Sequence, residues 1–305
     1  MPANFPEIWL GRIIQNLDTS DIAPFLNGIA EIAADVVQIN QGQLSEKNKI
    51  YVPSTEFEVD VLINNTTYPL AVQTYADGTI EITLDKYQTK VVTLSDDQII
   101  GASYDKIDVV TKSLIRSILV SKFKKALHSI APQTNTATTP VMAATGGTAA
   151  LADPDGRLRL VYEDLVAFKG LCDTAGFTEE DRRLVLCNEH WNDLLLDRKN
   201  FGNQLVDYAA GKPAPMIAGF ELQKYTTAPI YTAAGVKQPF GTIAAPTDTS
   251  ASIAFCVNGI AKKTGLTKQY FVKAENNPAN QTNDLAYRHY FIVTPYQNRK
   301  IGAIR

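Results

Sequence analysis

The stretch YDKIDVVTKSLIRSILVSKFKKALHSI, residues 104–130, reads as one long helix. Ile107, Val110, Leu114, Ile118 or Leu119, Phe123 and Leu127 recur at three-to-four spacing, which places them on one apolar stripe. Ser103 or Asp105 is positioned to cap its start, and Pro132 ends it. At 1.5 Å per residue the helix is about 40 Å long. Lys106, Lys112, Arg116, Lys122, Lys124 and Lys125 are expected on its polar side. No aromatic residue is expected on this basic side, Phe123 belonging to the apolar stripe, which argues against base stacking. Read from the residues, acidic partners are favoured over polyphosphate, with Glu56, Glu58, Asp60 or the acidic N-terminal segment as the source.

Upstream of the helix lies a β pattern. Phe57, Val59, Val61 and Ile63 alternate with Glu56, Glu58, Asp60 and Leu62, and Tyr68, Leu70, Val72 and Thr74 continue at period two. Asp77-Gly78 then supplies a tight turn before Ile80, Ile82 and Leu84. A two-stranded ribbon is marginal alone and needs a surface to lie on. Residues 1–54 form an arm broken by Pro6, Gly11, Pro24 and Gly28, with one short helix expected over Leu26–Val37. Trp9, Ile13, Ile14 and Phe25 are costly to expose, so the arm is expected to rest on its own body or on a neighbour.

Downstream, residues 132–156 are rich in Thr, Gly, Ala and Asp-Pro and read as a linker. An α/β pattern follows: a helix over 158–175, a strand over 183–187, a helix capped by Asn188, a strand over 220–225 and a buried strand over 253–257. The tail reads as strands over 270–272, 287–294 and 300–304.

Composition narrows the function. The chain has 305 residues, 45% hydrophobic and 20% charged, with a formal charge of −3, which excludes whole-chain disorder and weakens a dedicated nucleic-acid binder. That charge is divided: residues 1–100 hold fourteen acids and five bases, whereas residues 101–131 hold two acids and six bases. Complementary acidic and basic surfaces are therefore expected within one molecule or between copies. The N-terminus lacks a secretory signal pattern, and Met1 leads to the expectation that no leader has been cleaved. The chain is expected to be soluble, with no membrane partner, and Cys172, Cys187 and Cys256 to be reduced and buried.

Chemistry-bearing patterns are missing. No Cys-x-x-Cys, His-x-x-x-His or EF-hand spacing occurs, so no metal is expected; Gly211-Lys212 and Gly146-Gly147 lack the context of a phosphate loop, so no cofactor is expected. Cys187 and His190 are the single pair that a hydrolase on the α/β half would use, and Cys187 reads instead as a buried thiol ending an apolar strand. No catalytic residue is assigned.

Three stretches carry a resemblance. "LVLCNEHWNDLLLDRKNFGNQ" (184–204), "MIAGFELQKY" (216–225) and "NGIAKKTGLTKQYFVKAENNPANQTNDLAYRHYFIVTPYQNRKIGAIR" (258–305) are similar to tailed-bacteriophage major capsid proteins of the HK97-like fold. So is the order of parts. The resemblance implies an α+β protein with an N-terminal arm (1–54), an extended β-hairpin loop or E-loop (55–100), a peripheral domain (101–155 and 269–305) with a spine helix over 104–130, and an α/β axial domain (156–268). It implies a non-enzymatic homo-oligomer of pentamers and hexamers in an icosahedral head, located in the virion and assembled in the host cytoplasm. Portal protein, with scaffolding or decoration proteins, would be its partners, and packaged double-stranded DNA would be contacted without sequence preference. Trp9, Phe25, Glu56, Glu58, Asp60, Asp77, Gly78, Lys86 and Lys90 would make contacts between subunits. Lys112, Arg116, Lys122, Lys124 and Lys125 would face inward. Some relatives join a loop lysine to an asparagine, for which Lys86 or Lys90 and Asn276 or Asn277 are the residues present. An encapsulin-type shell around protein cargo is the alternative.

Overall fold

The computed structural model describes residues 23–33, 37–40, 43–46, 49–54, 61–70, 72–73, 78–96, 106–197, 206–207, 212–213 and 215–305. In chain order the strands that precede the long helix are β1 (Ala30–Glu31), β2 (Val37–Asn40), β3 (Gln43–Glu46), β4 (Lys49–Ser54), β5 (Gly78–Thr83), β6 (Asp85–Gln88) and β7 (Val92–Ser95). Then come α1 (Lys106–Ile130), β8 (Val141–Met142), α2 (Tyr162–Thr174), β9 (Arg182–Leu186) and α3 (Asn188–Leu196). The remainder is β10 (Val206–Asp207), β11 (Lys212–Pro213), β12 (Met216–Ile217), β13 (Phe220–Lys224), β14 (Ile230–Tyr231), β15 (Thr249–Ser250), β16 (Ser252–Cys256), β17 (Ile260–Val272), β18 (Thr282–Pro295) and β19 (Ile301–Ile304).

Helix α1 matches its expected course to Ile130, while Ser103 and Asp105 lie outside the described residues. Leu114, Ile118, Leu119, Phe123 and Leu127 are buried, as the stripe requires. They pack on one face of a sheet ordered β1-β17-β18-β6, with β7 also paired to β18. Leu285, Tyr287, Phe291 and Val293 alternate along β18 toward that core, as period two demands. The same core takes in Val185, Ile253, Phe255 and Ala303 from a second, six-stranded sheet ordered β12-β13-β9-β16-β19-β8. Helices α2 and α3 pack on a separate core of that second sheet, through Leu165, Phe168, Cys172 and Leu194.

The chain path departs from the sequence reading in several places. Residues 132–156 are not a free linker, because β8 pairs in parallel with β19 and Ala144 N–H donates to the Arg305 carbonyl at 2.8 Å. The crossing into the five-stranded sheet comes at Ile260, and the last strand, β19, returns to the six-stranded sheet beside β16. Gly302 is needed in β19, where an added Cβ would meet Phe168 Cζ at 2.9 Å and the Pro140 carbonyl at 3.2 Å. The α3 cap is the Cys187 thiol, which accepts from His190 N–H at 3.5 Å, and Asn188 is the first helical residue.

The expected helix over Leu26–Val37 does not form. A 3-10 turn at Pro24–Leu26 ends at Gly28, whose φ of +76° reverses the chain at no steric cost. Ala30 and Glu31 then pair in parallel with Ala261 and Lys262. Arg183 holds the turn by donating to the carbonyls of Phe25, at 3.2 Å, and Asn27. Long-range pairing has overridden local helix preference here.

The hairpin also has different partners from those its alternation suggests. Strand β5 pairs antiparallel with β4, from Lys49 opposite Thr83 to Ser54 opposite Gly78, so Gly78 begins a strand and does not close a two-residue turn. Residues 61–70 and 72–73 form no strand, although they alternate. Asn65 makes its own local turn, its amide donating to the Thr67 carbonyl at 2.7 Å and its carbonyl oxygen accepting from Thr67 N–H at 3.2 Å. Ile50 and Leu84 at the hairpin base are buried against Ile32, Ala261 and Tyr290 of the same chain.

Candidate assembly surface and basic helix

Between β4 and β5 the chain projects apolar side chains that nothing in the described protomer covers. Val61, Leu62, Ile63, Tyr68, Leu70 and Val72 are all more than half exposed, Val72 by 93%. Scattered exposed apolar residues are ordinary, but six within twelve positions of one loop are a concentration of the kind that marks a contact site. The loop is anchored through Ile50 and Leu84, so the patch hangs from a fixed base.

The other residues expected at subunit contacts divide into three groups. Trp9, Glu56, Glu58, Asp60 and Asp77 lie outside the described residues. Phe25 is buried in its own chain, edge-on to Tyr225 with ring centroids 5.2 Å apart, which removes it from a neighbour's surface. Gly78 opens β5, while Lys86 lies on β6, opposite Tyr290 of β18, with Lys90 just beyond that strand; both lysines are exposed. Asn277 is turned to Thr282, its amide donating to Oγ1 at 3.1 Å.

On α1 the cations are not equivalent. Lys112 is exposed and pairs with Asp108 at 2.7 Å, and Arg116 is exposed one turn on. Lys122 is 3% exposed, against the expectation of an outward charge. Its position follows Ile118 and Leu119 and precedes Ala126 at helical spacing, so it falls on the buried stripe. Its ammonium lies over the Phe291 ring at 4.2 Å, an arrangement that partly offsets the loss of water. Lys124 and Lys125 are half-buried, and the structure brings Phe240 to them from more than a hundred residues away, with their ammoniums 5.7 and 5.0 Å from the ring centroid. The basic side therefore does carry an aromatic, which sequence neighbourhood alone did not reveal.

The one constellation that suggested chemistry is a packed polar chain. His190 Nδ1 and Ser252 Oγ share a hydrogen bond of 2.7 Å, and Ser252 Oγ donates to Cys187 Sγ at 3.7 Å. All three residues are at most 2% exposed, so substrate has no route to the thiol or hydroxyl. Burial pushes the Cys187 thiol up, away from thiolate character. Among the described residues no group of three His, Cys, Asp or Glu side chains is arranged to hold a metal ion. No helix among them is long and apolar enough to cross a membrane.

Burial also holds His190 down to about 4, and holds His289 down to about 3 with help from the Lys122 charge. The unfolded chain protonates both near pH 6.5. Their contribution to stability is therefore whole above about pH 6.5 and is lost progressively as pH falls toward 4 and 3. The melting temperature of the unassembled protomer is expected to fall between pH 6.5 and 4, and His289→Gln to flatten that fall. A melting temperature constant across the window would contradict it.

A family model described as "Phage capsid protein" matches residues 76–305. No curated protein sequence matches the chain. Among solved structures, the capsid of the cyanophage P-SCSP1u is similar with a TM-score of 0.64 at 14% identity, over 92% of this chain and 86% of that one. The mature capsid asymmetric unit of bacteriophage PhiM1 gives 0.60 at 12% identity, over 92% and 86%. The capsid of a native GTA particle gives 0.59 at 11% identity, over 92% and 88%. At such identities the structural likeness is one of fold.

Proposed function

The chain belongs to the phage capsid protein family and has the HK97-like fold of a phage major capsid protein; from that premise we propose that its copies gather into pentamers and hexamers and close an icosahedral head around double-stranded DNA. The exposed apolar patch over residues 61–72 carries this reading. Each side chain of that size, once covered, stabilises by about 1.5–3 kcal/mol, and a closed shell repeats the contact at every subunit. The loop docks on an adjacent copy, and the shell draws its stability from many such contacts.

The remaining assignments follow the same plan. The six-stranded sheet with α2 and α3 supplies the axial part, and the five-stranded sheet with α1 the peripheral part. Lys112 and Arg116, with Lys124 and Lys125, face the enclosed polyphosphate, while Lys122 serves packing. Portal protein, and scaffolding or decoration proteins, meet this shell, which resides in the virion after assembly in the host cytoplasm.

Electron microscopy of the purified chain under assembly conditions tests the proposal. Closed shells whose DNA-filled form survives nuclease support it. A chain that stays monomeric at high concentration overturns it, and shells that hold protein and exclude DNA turn it into a nanocompartment.

A further inference from the structure

An open cleft lies between the end of α1 and the segment 227–242. Lys124 and His128 line it from the helix, and Thr227, Gln238, Phe240 and Thr242 line it from the segment. The segment is fastened to the helix end. Lys237 Nζ donates to the carbonyls of His128, at 3.1 Å, and Ala131, at 2.6 Å, and His128 Nε2 is 2.9 Å from the Gln238 carbonyl. Asp248, the acid just beyond that segment, is turned to its own loop, accepting from Gln238 Nε2 at 3.2 Å and Ala245 N–H at 3.0 Å.

Phe240 follows closely on these fastened residues, yet it remains 40% exposed. His128 meets it edge-on at 5.4 Å, and the ammoniums of Lys124 and Lys125 lie over the ring, 5.7 and 5.0 Å from its centroid. Asp85 approaches Lys125, but no carboxylate lines the cleft. A part-exposed aromatic ring with two ammoniums over it, and hydroxyl and amide groups around them, has the makings of a single-strand nucleotide platform: a base that takes the ammoniums' place stacks on the ring while the displaced cations pair with its phosphates. An acidic peptide would use the cations and gain nothing specific from the ring.

Resting on the capsid reading, we infer that this cleft binds unpaired nucleotides of the enclosed polynucleotide, at strand ends or opened base pairs, with phosphates on Lys124 and Lys125 and a base against Phe240. It is a contact distinct from the charge-only attraction along Lys112 and Arg116.

The test uses the full unassembled chain with a labelled 20-nucleotide oligo-dT, measured by anisotropy across a salt series, and ultraviolet cross-linking with mass-spectrometric mapping. The cross-linked peptide is expected to contain Phe240. Phe240→Leu is expected to remove that cross-link and to weaken binding by about tenfold, within the range of one base stack. Phe240→Trp should keep both, which separates lost stacking from lost folding. The double variant Lys124→Ala/Lys125→Ala should reduce the slope of log affinity against log salt by about 1.4. Closed circular duplex, which offers no ends, should compete weakly. A cross-link elsewhere with unchanged affinity in Phe240→Leu overturns the inference, and so does equal displacement of oligo-dT by polyglutamate. Wild-type shells seen by microscopy in the same preparation show that such a failure belongs to the cleft; absent shells would condemn the capsid reading instead.

Discussion

Replacing residues 55–77 by the dipeptide Asn-Gly is expected to leave a folded protomer that no longer assembles. The register makes the graft possible, because Ser54 and Gly78 are the last directly opposed pair of β4 and β5, and a two-residue Asn-Gly loop suits such a pair. Ile50, Leu84 and the whole of β6 and β7 are retained, so the base stays buried and the sheet keeps its β18 pairing. A cut running to residue 94 would instead remove Leu84 and strip β18 of β6, confusing folding with assembly. Shortening the connection lowers its closure cost by about 2 kcal/mol on the logarithmic rule, so the protomer's melting temperature should hold or rise slightly. Assembly should be lost, since six exposed apolar side chains together represent on the order of 10 kcal/mol per loop when covered. Sedimentation velocity and microscopy read the result. The triple variant Val61→Ser, Ile63→Ser and Val72→Ser should raise the concentration needed for assembly without abolishing the fold. Normal shells from the graft would remove the loop from the mechanism.

How far the sequence could be read depended on whether the signal was local. Helix α1 was legible because its core stripe and its stop at Pro132 lie within one stretch, and β13, β16 and β18 were legible from short apolar or alternating runs with breakers. Over 61–70 the alternation misled because period two reports two differing faces, not a hydrogen-bonding partner; these residues keep the pattern and make no ladder. Phe25 could be recognised as a residue that needs cover, but which surface covers it is set by Tyr225 and Arg183, far along the chain. Lys122 was legible in principle, since it follows Ile118 and Leu119 at helical spacing, but its charge outweighed its position in the reading. Phe240 was not legible at all, because its approach to Lys124 and Lys125 depends on the fastening of Lys237 and Gln238 to the helix end. The same holds for Asp193, whose part in the α/β half appears once the strands are packed.

Asp193→Ala is expected to be the most damaging single substitution for protomer stability. The carboxylate is 4% exposed and receives both guanidinium arms of Arg157, Nη1 to Oδ2 at 2.9 Å and Nη2 to Oδ1 at 3.0 Å. Its Oδ2 also accepts from Leu160 N–H at 3.0 Å, which fixes the entry to α2 against α3. Arg157 turns its Nε to Asp153 Oδ2 at 3.0 Å, so one planar cation joins the loop at 153–157 to the helix. The hydrogen bonds to Asp193 hold the Arg157 guanidinium firmly charged. Removing Asp193 therefore leaves the Arg157 cation with Asp153 at 3.0 Å and Glu189 at 3.8 Å but without its two-armed partner, and leaves a buried N–H without its acceptor. Breaking a buried pair in this way costs about 3–5 kcal/mol. For a chain of this size that corresponds to a fall of about 5–8 °C in melting temperature, read by calorimetry on the unassembled protomer. Asp193→Asn keeps an acceptor for Leu160 and should recover part of the loss. The pair Arg157→Met/Asp193→Leu should be more stable than Asp193→Ala alone, because it removes the under-paired charge along with its partner. A fall of less than about 1 °C in Asp193→Ala would show that water or Asp153 satisfies Arg157, and that the helix junction is held by packing rather than by this bridge.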